Sequence, residues 1–216
     1  TEWSNLQADL KISQPIITAE DAVITAKRNQ TVLVGKGGEI AKDLGVIFKD
    51  PKVKEPGRLL EKAQSKGDIR QLADITRAGF AVQTADQADQ VIASLLEKGF
   101  KVVDEGYSVT PLGYFDRKLV VINPDGQLGE VQIWAEQLFK AKMEGGGQDL
   151  YMLARSPKDV DSMSKKERKA YTALLKKYNI IGNTPTEIKQ DIATKSINLY
   201  ANAISDLDTS MREIAI

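Results

Sequence analysis

The chain contains no cysteine and no histidine among its 216 residues. Without Cys there is no disulfide and no thiolate metal site, a usage that fits a reducing compartment. Without His, Ser-His-Asp catalysis, imidazole-ligated zinc and an imidazole general base are all excluded. Chemistry must therefore rest on carboxylates, Lys, Arg, Tyr and hydroxyls. No apolar run approaches the ~20 residues that span a bilayer, and no signal peptide stands at the start, so no membrane partner is expected. Net charge is also lacking. Lys plus Arg and Asp plus Glu both number 30, so any phosphate-binding function needs a local basic cluster. The chain begins at Thr1 rather than Met, and a fragment or processed product is the expectation.

What is present is an ordinary globular balance, 42% hydrophobic and 28% charged, enough for one substantial domain with helical additions. The most informative stretch is 119–134, LVVINPDGQLGEVQIW. Two runs rich in β-branched residues flank Asn123, Pro124, Asp125 and Gly126. Pro presets φ for a turn and Gly accepts the positive φ that closes it, so an antiparallel hairpin is predicted. Alternation puts Glu130 and Gln132 on one side of the second strand and Val131 and Ile133 on the other. A carboxylate in such a strand is either a solvated surface group or a metal-binding or proton-transfer group held on a rigid element.

Around the hairpin, residues 1–50 read as mainly helical, with Thr18 and Asp21 as an N-terminal cap signature. Glycines 35, 37 and 38 predict a break in that helix, since their spacing does not fit a phosphate loop. Residues 50–57 hold two prolines and read as a loop leading into a short helix over 58–65. Lys52, Lys54, Arg58 and Lys62 cluster there, either as a solvated face or as a grip on a polyphosphate at a helix start. Residues 73–82 read as the first core strand, with Asp74 and Arg77 as polar intrusions. Thr84 caps a helix with the apolar stripe Ala88, Val91, Ile92, Leu95 and Leu96, which ends at Gly99. A strand follows from Phe100, then a long loop over 104–113. Beyond the hairpin the chain reads as helical, broken near Pro157 and at 182–185. The fold class expected is α/β (α+β): a mixed, largely antiparallel sheet of about five strands flanked by N- and C-terminal helices. The regions expected are 1–50 helical, 51–155 core and 156–216 helical extension, together one compact domain.

These residues, in this order, resemble the RelA/SpoT-like alarmone synthetases, over roughly 50–155. Lys52-Val53-Lys54, Arg58 and Lys62 follow the spacing of the family's basic lead-in, with Lys for an Arg and Arg for a Ser. Asp74-Ile-Thr-Arg77 is similar to the Asp and Arg of its first strand. Gly113-Tyr114 is similar to its acceptor loop, though Phe115 stands where many members have Arg, and the His that ends that motif is absent; Asp116 suits smaller, toxin-like members better. Glu130-Val-Gln-Ile133 is similar to its Glu-Ile-Gln-Ile strand, and Leu150, Tyr151 and Arg155 to its later Leu-Tyr and Arg. The resemblance implies a nucleotidyltransferase-like fold and Mg²⁺-dependent transfer of pyrophosphate from ATP to a ribose hydroxyl of an acceptor nucleotide. It implies Asp74 and Glu130 as metal and catalytic carboxylates. It assigns Lys52, Lys54, Arg58, Lys62 and Arg77 to donor phosphates. Tyr114 becomes a stacking face for the acceptor base and Gln132 a nucleotide contact. It also implies a cytoplasmic site of action, delivery within a larger secreted protein, and an immunity or antitoxin protein as partner. The alternatives are an inactive binding or structural module on the same fold, or a toxin that modifies RNA.

Overall fold

The structure, a computed structural model, describes residues 18–54, 56–57, 59–60, 73–156 and 160–215. Helix α1 (Ala19–Leu44) opens it. Its N-terminus is a reciprocal capping box: the Thr18 hydroxyl accepts from the Asp21 N–H at 3.1 Å, and the Asp21 carboxylate accepts from the Thr18 N–H at 3.1 Å. Gly45, left-handed at φ 65°, ends it. The predicted break at residues 35–38 is absent, because packing overrides the helix-weakening tendency of glycine. Gly37 is buried, and a Cβ there would meet the Phe48 ring at 2.5 Å. Without side chain at this point, the helix lies directly against the sheet.

Five strands form one sheet in the order β1-β2-β5-β4-β3: β1 (Ile47–Val53), β2 (Thr76–Val82), β3 (Lys101–Val109), β4 (Phe115–Ile122) and β5 (Leu128–Ala135). β1 pairs antiparallel with β2, β2 parallel with β5, and β5 antiparallel with β4. The sheet is thus mixed and largely antiparallel, as the sequence indicates. The β4–β5 hairpin turns through Gly126 at φ 82°, whose N–H donates to the Asn123 carbonyl at 2.9 Å.

Two expectations need correction. Residues 50–53, read as loop, belong to strand β1, so 73–82 holds the second strand and not the first. Residues 104–109, also read as loop, extend β3. In both places glycine or proline punctuation misleads: Pro51 sits on an edge strand, where a missing N–H leaves no internal ladder bond unmade. Gly106 reaches φ 77° inside β3.

Helices α1 and α2 (Ala85–Glu97) pack on one face of the sheet. That face carries Phe80, Leu119, Val121, Val131 and Ile133, all buried. Each such side chain contributes about 1.5–3 kcal/mol by leaving water. Phe48 and Phe80 meet there with ring centroids 5.0 Å apart. A buried amide chain ties α1 to the start of β5. Asn29 Nδ2 donates to the Leu128 carbonyl at 2.8 Å, and Asn123 Nδ2 donates to Asn29 Oδ1 at 3.2 Å. Gly129 lets α1 approach, since a Cβ there would meet Asn29 at 3.0 Å. The helix thereby fixes the strand that carries Glu130.

The sheet with α1 and α2 is one compact unit; residues 109–114 and the helices beyond 136 form a second. The second unit contains α3 (Glu136–Met143), α4 (Gly147–Ala154), α5 (Lys165–Lys177), α6 (Pro185–Ser205) and the short α7 (Thr209–Arg212). Capping boxes Ser164–Glu167 and Thr184–Glu187 start α5 and α6. Asp149 of α4 accepts from Lys177 Nζ at 3.0 Å and from the Tyr178 hydroxyl, which ties α4 to the end of α5. Among the described residues no helix is long and apolar enough to cross a membrane.

Candidate active site

On the sheet face opposite α1 and α2, strand register assembles the polar residues. Directly paired positions share a face. Glu130 pairs with Arg77 and Val120, and Gln132 with Gly79 and Lys118. On β1, Lys52 pairs with Arg77 and Lys49 with Gly79. Asp74 lies just before β2, on a 3₁₀ turn, Ala73–Ile75, and not within the strand as expected. The turn aims its carboxylate back toward β1, and the Lys54 N–H holds the turn through the Ile75 carbonyl at 2.9 Å. Beneath it, Ile75 packs with Ala22, Ala26 and Leu59. The buried Thr76 hydroxyl donates to the Ala26 carbonyl at 3.2 Å.

One connected set of contacts links four of the predicted residues and a fifth joins through an amide. Lys54 Nζ reaches Asp74 Oδ2 at 2.6 Å. Arg77 contacts the same oxygen at 2.7 Å and, through Nε, Glu130 Oε1 at 3.3 Å. Gln132 Nε2 donates to Glu130 Oε1 at 3.2 Å. The two carboxylates thus flank a single guanidinium, whose nitrogens are about 2.3 Å apart, which brings the contacting oxygens within about 8 Å of each other. A shared Mg²⁺, with ligands at about 2.1 Å, needs the two oxygens within about 4 Å, so both carboxylates would have to close over the place the guanidinium holds. Lys52 is exposed beside Arg77. Arg58 and Lys62 lie outside the described residues.

Tyr114 belongs to the second unit. Lys142 Nζ donates to its hydroxyl at 2.9 Å and lies 4.4 Å from its ring centroid, and the Tyr200 ring is 5.4 Å away. Its φ-positive neighbour Gly113, at 84°, shapes the turn that presents it.

The donor set suits Mg²⁺: oxygen ligands only, two carboxylates, and space in the coordination shell for phosphate oxygens and water. Among the described residues no cluster of three acidic ligands exists, so a metal here would depend on a phosphate-bearing ligand for the rest of its shell.

Lys49 and Lys118 belong to this face and escaped the sequence reading. Lys118 could have been found by counting alternate positions back from Val120. Lys49 could not, because simple alternation puts it on the other face from Lys52. Burial, and then the Lys52 charge, lower the pKa of Lys49.

The fold is that of the RelA/SpoT-like alarmone synthetases. It matches small alarmone synthetase 1 from Bacillus subtilis with a TM-score of 0.56 and 22% identity, over 90% of this chain and 94% of that one. It also matches the type VI effector Tas1, solved with its immunity protein, with a TM-score of 0.52 and 22% identity, over 86% of this chain and 96% of that one. No protein-family model matches the chain, and no curated protein matches it. At this identity the likeness establishes the fold and leaves the reaction to be argued from the residues.

Proposed function

We propose that the chain is a nucleotide pyrophosphokinase, moving the β,γ-pyrophosphoryl group of ATP to a ribose hydroxyl of an acceptor nucleotide. The observation that carries this reading is the shared guanidinium: Asp74 and Glu130 converge on Arg77 at the mouth of the β2–β5 pair, beside Lys52 and Lys54. Phosphoryl transfer needs charge neutralisation and in-line positioning more than covalent help. Lys52 and Lys54 bind donor phosphates, and the family's spacing assigns Arg58 and Lys62 to the same phosphates. Arg77 exchanges its carboxylate partners for a phosphate oxygen, which releases Asp74 and Glu130. Those two carboxylates would hold Mg²⁺, which would supply charge neutralisation across the donor phosphates.

In the reaction the acceptor hydroxyl oxygen forms a bond to the β-phosphorus. The bond from that phosphorus to the α–β bridging oxygen breaks, and AMP leaves with the electron pair. The hydroxyl proton passes to Glu130, which Gln132 orients through its amide. Tyr114 stacks on the acceptor base. The likeness to a synthetase solved with its product pppGpp, at a TM-score of 0.50 and 21% identity over 73% of this chain and 91% of that one, supports a nucleotide acceptor. The likeness to Tas1 supports delivery as an effector domain with an immunity protein as partner. A cytoplasmic site of action goes with the use of ATP.

The experiment is incubation of purified protein with γ-labelled ATP, Mg²⁺ and each purine nucleotide or RNA in turn. Label appearing on an acceptor nucleotide, with an equal amount of AMP, is expected. ATP binding without any transfer overturns the enzyme reading in favour of a binding module, and label on RNA overturns the choice of acceptor.

A further inference from the structure

The helical unit holds a cleft of about 210 Å³ that the proposed reaction does not use. Leu153 of α4, Val160 and Ile188 of α6 give it apolar lining, and Tyr171 of α5, Asn183 and Lys189 give it polar lining. Its rim is held by local hydrogen bonds. Between α5 and α6 the chain turns through Asn179, left-handed at φ 48°, and the Ile180 N–H donates to the Leu175 carbonyl at 2.9 Å. The Ile181 N–H donates to the Asp191 carboxylate at 2.8 Å, and the Thr184–Glu187 capping box fixes the start of α6. Gly182 lies close on that start, where a Cβ would meet the Ile188 nitrogen at 2.8 Å. Small-molecule sites are pre-formed, mostly apolar concavities with a few polar groups, and this cleft has that make-up.

We propose that this cleft binds a small carboxylic acid built on a single ring. Size sets the ring. About 150 Å³ is enough for benzene, so the volume here takes one ring and one small substituent. Val160, Tyr171 and Ile188 are only half-buried, and a ring seated among them covers apolar surface that water now reaches. The polar lining sets the substituent. Lys189 offers only donors, and the Asn183 amide and Tyr171 hydroxyl can donate as well. The carboxylates nearest Lys189 in sequence are already spent, Glu187 on the α6 cap and Asp191 on Ile181 and Lys195. The Asn183 backbone N–H goes to Glu187 at 3.0 Å, while its side-chain amide is not engaged among the described residues. Burial raises the pKa of Tyr171, so its phenol stays a neutral donor at pH 7. A surplus of donors selects an anion, and a carboxylate can accept from several of them at once.

The test is isothermal calorimetry of the full chain with benzoate, benzyl alcohol and benzamidine, which share a ring and differ in charge. Benzoate should bind with a dissociation constant of about 1 mM or below, and the other two about tenfold more weakly or worse. Lys189→Met, on the exposed rim, should weaken benzoate by about tenfold and leave benzyl alcohol unchanged. Ile188→Phe fills the cleft from a half-buried position and should abolish binding. Val160→Phe serves the same purpose if thermal denaturation shows the first variant unfolded. No binding of benzoate to wild type, equal affinity for the three probes, or unchanged benzoate affinity in Lys189→Met overturns the proposal. Benzoate binding that survives in a folded filling variant overturns it as well. None of these results touches the pyrophosphokinase reading, which rests on the Arg77 cluster.

Discussion

Arg77 and Arg117 each hold two carboxylates, and they do so on opposite faces of the same sheet. Arg117, on β4, bonds Asp104 on β3 and Asp89 on α2 on the helix-covered face. There the cation is inside and the anions outside: Arg117 is 16% exposed, Asp89 68% and Asp104 35%. The Arg77 cluster is reversed, with Arg77 48% exposed over Asp74 at 4% and Glu130 at 18%. A buried guanidinium cannot leave without stranding a charge, so the Arg117 cluster is a clamp joining α2, β3 and β4. An exposed guanidinium above buried carboxylates can leave if another anion receives it and another cation replaces it. A phosphate chain with Mg²⁺ provides both. The direction of burial, more than the number of ion pairs, separates the Arg77 cluster from the Arg117 clamp.

The largest expected effect is on Glu130. Glu130→Gln removes the charge and the proton acceptor with almost no change of shape, so transfer should fall by about a hundredfold or more. The melting temperature should stay within about 2 °C of wild type, because the change is nearly isosteric. Label transfer and thermal denaturation measured together check this. Wild-type turnover in the variant removes Glu130 from the chemistry.

A sharper form of the comparison pairs Arg77→Gln with Arg117→Gln. The first should weaken ATP binding by about tenfold and change stability little. The second should lower stability by about 2 kcal/mol, measured by urea denaturation, and leave ATP affinity alone. The reverse pattern would show that burial does not distinguish the two clusters.

The smallest effect is on acid stability. Burial raises the pKa of Asp104, but hydrogen bonds from Arg117 and the Gly106 N–H outweigh it, and the folded value lies below the usual carboxylate range. A depressed folded pKa means stability that is present above the unfolded pKa and is lost as pH falls through the folded one. Urea midpoints should therefore drop below about pH 4, and drop less steeply in Arg117→Gln, where that depression is largely gone. Parallel curves for the two proteins would assign the acid loss to other carboxylates.

The parts of this molecule that were legible in the sequence are those in which local chemistry and packing agree. The hairpin was readable because alternation and the turn residues point the same way, and α1, α2 and α6 because Thr caps stand before their apolar stripes. β1 was not, since a bulge shifts its alternation and Pro51 argues against a strand. Gly37 was misread for a related reason: its meaning lies in Phe48, eleven residues away in sequence and across a layer in space. Of the Arg77 cluster, the carboxylates and the cations Lys54 and Arg77, with Lys52 beside them, were named from the sequence as candidates. Their meeting at one guanidinium was not, because it depends on a parallel register between strands over fifty residues apart.

That parallel pairing of β2 with β5 also bears on folding. Asp74 and Glu130 come to the same guanidinium only after the chain has closed the long loop between them, after the α2 crossover has formed and β3, β4 and β5 are in place. High-contact-order pairings of this kind form late. Native-state hydrogen exchange and refolding followed by ATP binding should show hairpin protection appearing before nucleotide affinity. A partly folded chain would carry stable β-structure without the Arg77 cluster, and any function that depends on that cluster would appear as the last event of folding.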